Sequence, residues 1–202
     1  LDREIPGFLV FYANTIFVAA MTTLGTMVTT ILAAFAFSRL KFFGRDTLFS
    51  LLLATMMVPG EIFIITNFAT ISNWDLTNTY WALVLPFITS VFYTYFLRQT
   101  FMQIPNELYL SAKVDGTSDF KYLLKVMIPI AKATLTTILI LSMMGTWNAY
   151  IWPNLVADEQ RYLLVSNGLM SAFSSSGAVS ENIQMAASAL VSLPLLIAFI
   201  FL

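Results

Sequence analysis

Apolar residues run through this chain in stretches too long and too evenly apolar for a surface helix with one wet face. Five of them, at about residues 8–38, 48–72, 77–97, 126–152 and 183–202, are separated by segments that hold most of the charge. About 20 helical residues cross the roughly 30 Å of a bilayer's hydrocarbon, so each stretch is long enough to span it. The first has no charge between Glu4 and Arg39 and is longer than a crossing needs, which predicts a helix end that projects into water. Punctuation is uneven: Pro59-Gly60-Glu61 interrupts the second stretch, Pro86 lies inside the third, and Pro153 and Pro194 mark the last two. No ten-residue segment alternates polar and apolar positions as barrel strands do. The pattern predicts an all-α, polytopic membrane protein forming one transmembrane domain over residues 1–202.

Composition narrows the chemistry. Of 202 residues, 58% are hydrophobic and 10% charged, against about 25% charged in soluble domains. Cysteine and histidine are both absent, which excludes disulfides, Cys/His metal sites, thiol nucleophiles and a Ser-His-Asp triad. No Gly-x-x-x-x-Gly-Lys-Ser/Thr loop is present, so ATP is not bound here in the P-loop manner. A net charge of −1 with no Lys/Arg block predicts no nucleic-acid partner. The expectation is a non-catalytic chain with no metal and no cofactor of its own.

Orientation follows from Lys and Arg. Arg39, Lys41 and Arg45 follow the first stretch, and Arg98, Lys113, Lys121 and Lys125 follow the third. The other side has Arg3 and Arg161. The positive-inside bias makes residues 98–125 cytoplasmic and residues 153–182 external. Lys132, near the start of the fourth stretch, can snorkel to the cytoplasmic interface. A sixth helix before Leu1 would place both termini inside.

The cytoplasmic segment 104–120 is turn-punctuated. Pro105 suits the start of a helix, and Glu107 lies in its first turn, where the dipole favours an anion. Leu108, Leu110, Ala112 and Val114 form an apolar stripe. Asp115-Gly116 ends it, with Gly116 able to take the left-handed conformation of a helix C-terminus. Ser118 can N-cap a second short helix over residues 119–125. Two capped helices at a sharp angle are expected. The stripe by itself equally fits a helix resting on lipid headgroups.

The order of residues closely resembles the EAA loop of binding-protein-dependent ABC importer permeases: Glu-Ala-Ala, three residues, Gly, about nine residues, then Ile/Val-x-Pro. Here Leu110-Ser111-Ala112 precedes Lys113-Val114-Asp115-Gly116, and Met127-Ile128-Pro129 follows. Ile104-Pro105, Glu107-Leu108, Val114-Asp115-Gly116-Thr117-Ser118 and Phe120 resemble the carbohydrate branch (maltose/multiple-sugar type). So do Trp147-Asn148-Ala149-Tyr150-Ile151-Trp152-Pro153, which is similar to that branch's Trp-Asn-x-aromatic-x-x-Pro signature, Pro59, and Asn14-Thr15. The departure is that Leu110 stands where the family has glutamate and Ser111 where it has its first alanine.

The resemblance implies the type I ABC importer permease (MetI-like) fold in a prokaryotic cell membrane, with six spans in the full chain. It implies a permease subunit for a carbohydrate, with an oligosaccharide expected. Its partners would be a homologous second permease, two cytoplasmic ATPase subunits that bind ATP and Mg, and an extracytoplasmic sugar-binding protein. Glu107, Leu110, Ser111, Ala112, Asp115, Gly116 and Phe120 would form the coupling helix that docks on the ATPase.

Inside the spans, a charge costs about 2.5–3.5 kcal/mol on insertion scales. Glu61 either accepts backbone N–H groups freed at the Pro59-Gly60 break or lines a translocation path. Asn67, Trp147 and Asn148 are the other path candidates: an amide can bond a sugar hydroxyl while an indole stacks on its ring. Equally, Asn148 can bridge helices. The alternatives are a permease for another solute and a secondary transporter, which predicts ion-coupling charges where Glu61 is the lone central carboxylate. A membrane enzyme would need paired carboxylates that the sequence does not bring together.

Overall fold

The computed structural model describes residues 5–168, together with 170, 182, 185, 188, 189, 191–194, 196 and 197. Among these residues the regular structure is helical. In chain order the helices are α1 (Ile5–Arg39), α2 (Arg45–Thr55), α3 (Phe63–Asn73), α4 (Tyr80–Val84) and α5 (Val91–Gln103), then α6 (Asn106–Val114), α7 (Asp119–Tyr122), α8 (Ile128–Ile130), α9 (Lys132–Trp147) and α10 (Ile151–Val156).

The 35 residues of α1 extend about 50 Å at ~1.5 Å per residue, well beyond the hydrocarbon thickness. By length and composition, Leu9–Arg39 is long and apolar enough to cross a membrane alone. Three further spans qualify only as broken pairs: Arg45–Thr55 with Gly60–Asn73, Tyr80–Phe87 with Val91–Gln103, and Asp119–Ile130 with Lys132–Trp147. The fifth expected span, 183–202, falls largely outside the described residues.

Each break has a local cause. Pro59 withholds an N–H and disfavours helix at Val58, so α2 stops and the chain restarts as the 3₁₀ turn Gly60–Ile62. The third stretch, expected as one span over 77–97, is instead two helices. Pro86 lies in the 3₁₀ turn Leu85–Phe87, and Ser90 then N-caps α5 by accepting from the Tyr93 N–H at 3.2 Å. Once capped, α5 runs on to Gln103, so Arg98 sits on a helix and the following connection starts at Ile104. The fourth stretch begins its straight helix at Lys132, because a π turn over Leu123–Met127 and Pro129 precede it. The chain turns by 82° there.

The chain forms two compact units. Unit 1 comprises residues 1–23, 61–87 and 140–202, and polar side chains staple it. Asn14 donates to the carbonyls of Arg161 and Leu163 at 2.7 and 3.0 Å and accepts from the Tyr80 hydroxyl at 2.8 Å. Thr15 accepts from the Val165 N–H at 2.9 Å. Asn78, at φ 54°, accepts from the N–H groups of Asp158 and Glu159. The Trp152 indole donates to the Ala82 carbonyl at 2.9 Å. The Thr15–Val165 and Trp152–Ala82 bonds are buried and satisfy polar groups within the unit.

Unit 2 comprises residues 24–60 and 88–139 and has an apolar core. Ala34 and Phe35 of α1, Leu97 and Phe101 of α5, and Leu135 and Ile138 of α9 meet there with Ile104, Tyr122, Leu123 and Met127. Near Gly25, α1 passes so close to Ile88 that an added Cβ would lie 2.8 Å from its Cγ2. Thr29 donates to the Ile88 carbonyl at 2.6 Å and secures that approach.

Gly25→Ala should therefore destabilise the protein by about 1–3 kcal/mol through overpacking against a stiff β-branched side chain. Thermal unfolding in detergent reads this as a lowered Tm, and Ile88→Ala, which removes Cγ2 but leaves Cβ 3.0 Å away, should recover part of the loss. A Gly25→Ala variant as stable as the parent would contradict the close approach.

Candidate functional site

The segment 104–122 is built by local backbone chemistry. Pro105, with φ −55° and ψ 137°, stands just before α6 as its N-cap residue and sets the chain's entry. Glu107 lies in the first turn. At the other end Gly116 takes φ 69°. Its N–H donates to the Lys113 carbonyl at 3.0 Å, and the Thr117 N–H donates to the Ala112 carbonyl at 2.8 Å. That pair of bonds is a Schellman cap. Ser118 then N-caps α7, its hydroxyl accepting from the Lys121 N–H at 3.3 Å.

A polar clasp joins the two helices. One Asp119 carboxylate oxygen accepts from the Tyr109 hydroxyl and from the Lys113 ammonium, both at 2.7 Å. The ammonium also sits 5.5 Å from the centre of the Tyr109 ring. Tyr109 meets Tyr122 edge-on at 5.2 Å between ring centres. The bonds from Lys113 and then Tyr109 hold the Asp119 pKa below the usual carboxylate value. The bond to Asp119 holds Lys113 above the ordinary lysine value, and burial with that same bond raises the Tyr109 phenol.

The module has two faces. Tyr109 and Ala112 pack inward against the unit 2 core, and Tyr122, Leu123 and Met127 are part of that core. Leu110 (56% exposed), Val114 (88%) and Phe120 (61%) face outward with Leu108. Glu107, Ser111, Asp115 and Gly116 are exposed as well. Six of the seven expected docking residues thus lie on the open side, and Ala112 turns to the protein's own core.

At the root of the module, two arginines bridge helix ends. Arg39 Nη2 donates to the carbonyls of Phe101, at 2.8 Å, and Ile104, and Nη1 to Asn106 Oδ1 at 3.4 Å. Arg98 Nε donates to the Phe37 carbonyl at 3.1 Å, and its guanidinium stacks on Phe49 at 4.1 Å. In the sequence both residues register only as positive-inside charges. Their partners lie roughly sixty positions away, so no local signal could have assigned them. For the clasp, the four-residue step from Tyr109 to Lys113 was the available signal.

The membrane candidates are not gathered into one site. Glu61 is exposed in the Gly60–Ile62 turn and, among the described residues, bonds to nothing, so freed N–H groups do not hold it. Asn67 is half-buried on α3, and Asn148 is exposed just after α9. Trp147, also expected on the path, is buried. It is 5% exposed, packs with Phe11 and Val165, meets Tyr12 edge-on at 5.9 Å, and donates its indole N–H to the Val191 carbonyl at 3.1 Å. Among the described residues no acidic group forms a metal-ligand cluster.

Known proteins resemble this chain in sequence and fold. The profile of the family described as "Binding-protein-dependent transport system inner membrane component" matches residues 25–202. The sn-glycerol-3-phosphate transport system permease protein UgpE of Yersinia enterocolitica is 31% identical over 93% of this chain and 66% of its own length. The arabinooligosaccharides transport system permease protein AraQ of Halalkalibacterium halodurans is 27% identical over 98% of this chain and 71% of its length. The chain thus spans about two thirds of the length of these relatives. A crystal structure of a bacterial ABC transporter involved in import of the acidic polysaccharide alginate superposes with a TM-score of 0.84. It is 23% identical, covering 96% of this chain and 73% of the solved one. The fold is that of an ABC transporter permease, all-α.

The clasp predicts a pH dependence with a definite sign. Because the Asp119 pKa is lowered on folding, its stabilisation is present above the ordinary carboxylate value and lost as pH falls through the lowered one. Because the Lys113 pKa is raised, its stabilisation is present below the ordinary lysine value and lost as pH rises through the raised one. At pH 7 amide hydrogen exchange over residues 109–122 should be roughly two- to fivefold faster in Asp119→Asn than in the parent, the scale of an exposed pair. The difference should shrink below a pH of about 4 and vanish once Asp119 is protonated. Equal exchange at pH 7 would contradict the clasp.

Proposed function

The chain belongs to the binding-protein-dependent transport system inner membrane component family, and we propose that it is the transmembrane permease subunit of an ATP-driven ABC importer for a carbohydrate. It would pair with a homologous second permease, sit above two cytoplasmic ATPase subunits that bind ATP and Mg, and receive solute from an extracytoplasmic binding protein. Its place is the prokaryotic cell membrane, as a multi-pass protein with residues 104–122 in the cytoplasm.

One observation supports the coupling role above the others. Leu110, Val114 and Phe120 are exposed on a module whose inner face is part of a buried core. A loop that merely connected two spans would need neither the clasp nor the core. Apolar side chains fixed on a stiff support suit a groove in a partner protein. Leu110 in place of the family glutamate moves that contact towards apolar packing. Closure of the ATPases would press on α6 and α7, and the shared core would carry the push into α1, α5 and α9. The permease itself performs no chemistry.

Carbohydrate as cargo rests on the branch-like motifs and on relatives named for arabinooligosaccharides and sn-glycerol-3-phosphate transport. Both names denote solutes dense in hydroxyl groups. Glu61, Asn67 and Asn148 are the polar groups we assign to the path, and Trp147 supports the helices around it.

The decisive experiment is co-purification of the chain with its ATPase subunits, comparing the parent with Gly116→Pro and Val114→Asp. Proline cannot take φ 69° and aspartate cannot enter an apolar groove without cost, so both should lose the ATPase by tenfold or more, about 1.4 kcal/mol or greater. Full assembly of both variants, with ATPase activity still answering to the binding protein, would refute the coupling role.

A further inference from the structure

The geometry points to Arg39 and Arg98 as a reciprocal clamp that makes the cytoplasmic ends of α1 and α5 move together with the coupling module, so that ATPase motion reaches both helices at once. The inference rests on the coupling role proposed above and adds the residues that transmit it.

Each arginine leaves one helix and neutralises the end of the other. Arg39, in the last turn of α1, bonds the carbonyls of Phe101, near the end of α5, and Ile104, its C-cap residue. Arg98 of α5 bonds the carbonyl of Phe37, in the last turn of α1. Helix C-termini carry a partial negative charge of about half a unit and unpaired carbonyls, so two such ends side by side repel and need donors. A guanidinium supplies both charge and several N–H groups in a fixed fork, which an ammonium does not.

The joint is selective in position. Ile104 is 5% exposed and is the residue from which the chain leaves α5 for the module. Arg39 also reaches Asn106, the first residue of α6. One side chain of α1 therefore holds α5, the joint and α6 together. Among the described residues its Nε is buried without a partner, a cost that surface charge placement alone would not require. Arg98 is fixed from the other side by stacking on Phe49, which also meets Phe37 at 5.2 Å and Tyr95 at 6.4 Å between ring centres. Without the clamp the module would still be rooted in the core through Tyr122, Leu123 and Met127. It would still dock, while the end of α1 could lag behind α5.

The test uses the whole importer in proteoliposomes: this chain, its partner permease, the ATPase subunits and the loaded binding protein. Arg39→Gln and Arg98→Gln should assemble with the ATPase and hydrolyse ATP within about twofold of the parent, while solute imported per ATP falls roughly tenfold, a typical coupling energy. Arg39→Lys, which keeps the charge but not the fork, should fall in between. Spin labels at Leu40→Cys and Lys121→Cys, outside the docking residues, should report one narrow distance with and without ATP in the parent and a broadened one in Arg39→Gln. If Arg39→Gln does not insert, Arg39→Lys carries both readouts. Parental import per ATP with an unbroadened distance in these variants would overturn the clamp. Loss of ATPase binding by the parent itself would instead overturn the coupling reading.

Discussion

The module of α6 and α7 depends on one buried cluster: Tyr122, Leu123 and Met127, which close it, packed with Leu97, Phe101 and Ile104, which lead into it. A polar loop beside a membrane has no reason of its own to be stiff. Here the segment between the two contacts is short and begins and ends in the same apolar cluster. Tyr109 and Ala112 add to that cluster from within α6. With both ends fixed, the capping bonds, the Schellman turn and the Asp119 clasp fix one angle between α6 and α7. The outward position of Leu110, Val114 and Phe120 follows from that angle.

Polar groups divide labour in a consistent way. In unit 2 they neutralise helix ends and brace the module, through Arg39, Arg98, Lys113 and Asp119. In unit 1 they hold loops and helices to one another, through Asn14, Thr15, Asn78 and Trp152. Neither set leaves many side chains free to meet a solute. Among the described residues, Glu61 and Asn148 are exposed at a helix break and a helix end, where the backbone is already irregular, and Asn67 is half-buried on α3.

What the sequence made legible was the chemistry that acts over a few residues. Pro105, Asp115-Gly116 and Ser118 constrain their own backbone, so both ends of α6 and the start of α7 could be read from the residues themselves; the helix expected to residue 125 instead passes into a π turn after Tyr122. The Pro59-Gly60 break was legible for the same reason. In the third stretch Pro86 marked the interruption, but the restart at Ser90 was not legible, because Ile-Thr-Ser carries no strong punctuation and Ser90 acts only once α5 has formed. Hydropathy also cannot see that α5 continues through Arg98 to Gln103. The roles of Arg39, Arg98 and Trp147 were hidden because their partners come from distant segments. A tryptophan beside an asparagine looks the same whether it faces a cavity or a core.

The central claim is that the outward face of α6 and α7 meets a protein and not the lipid surface, and site-directed photo-crosslinking tests it most directly. With a photoreactive side chain placed singly at Leu110, Val114 or Phe120 in the assembled importer, the account predicts crosslinks to the ATPase subunit. The same probe at Tyr122, which is 1% exposed, should give none. Crosslinks to lipid alone from the three outward positions would contradict the account.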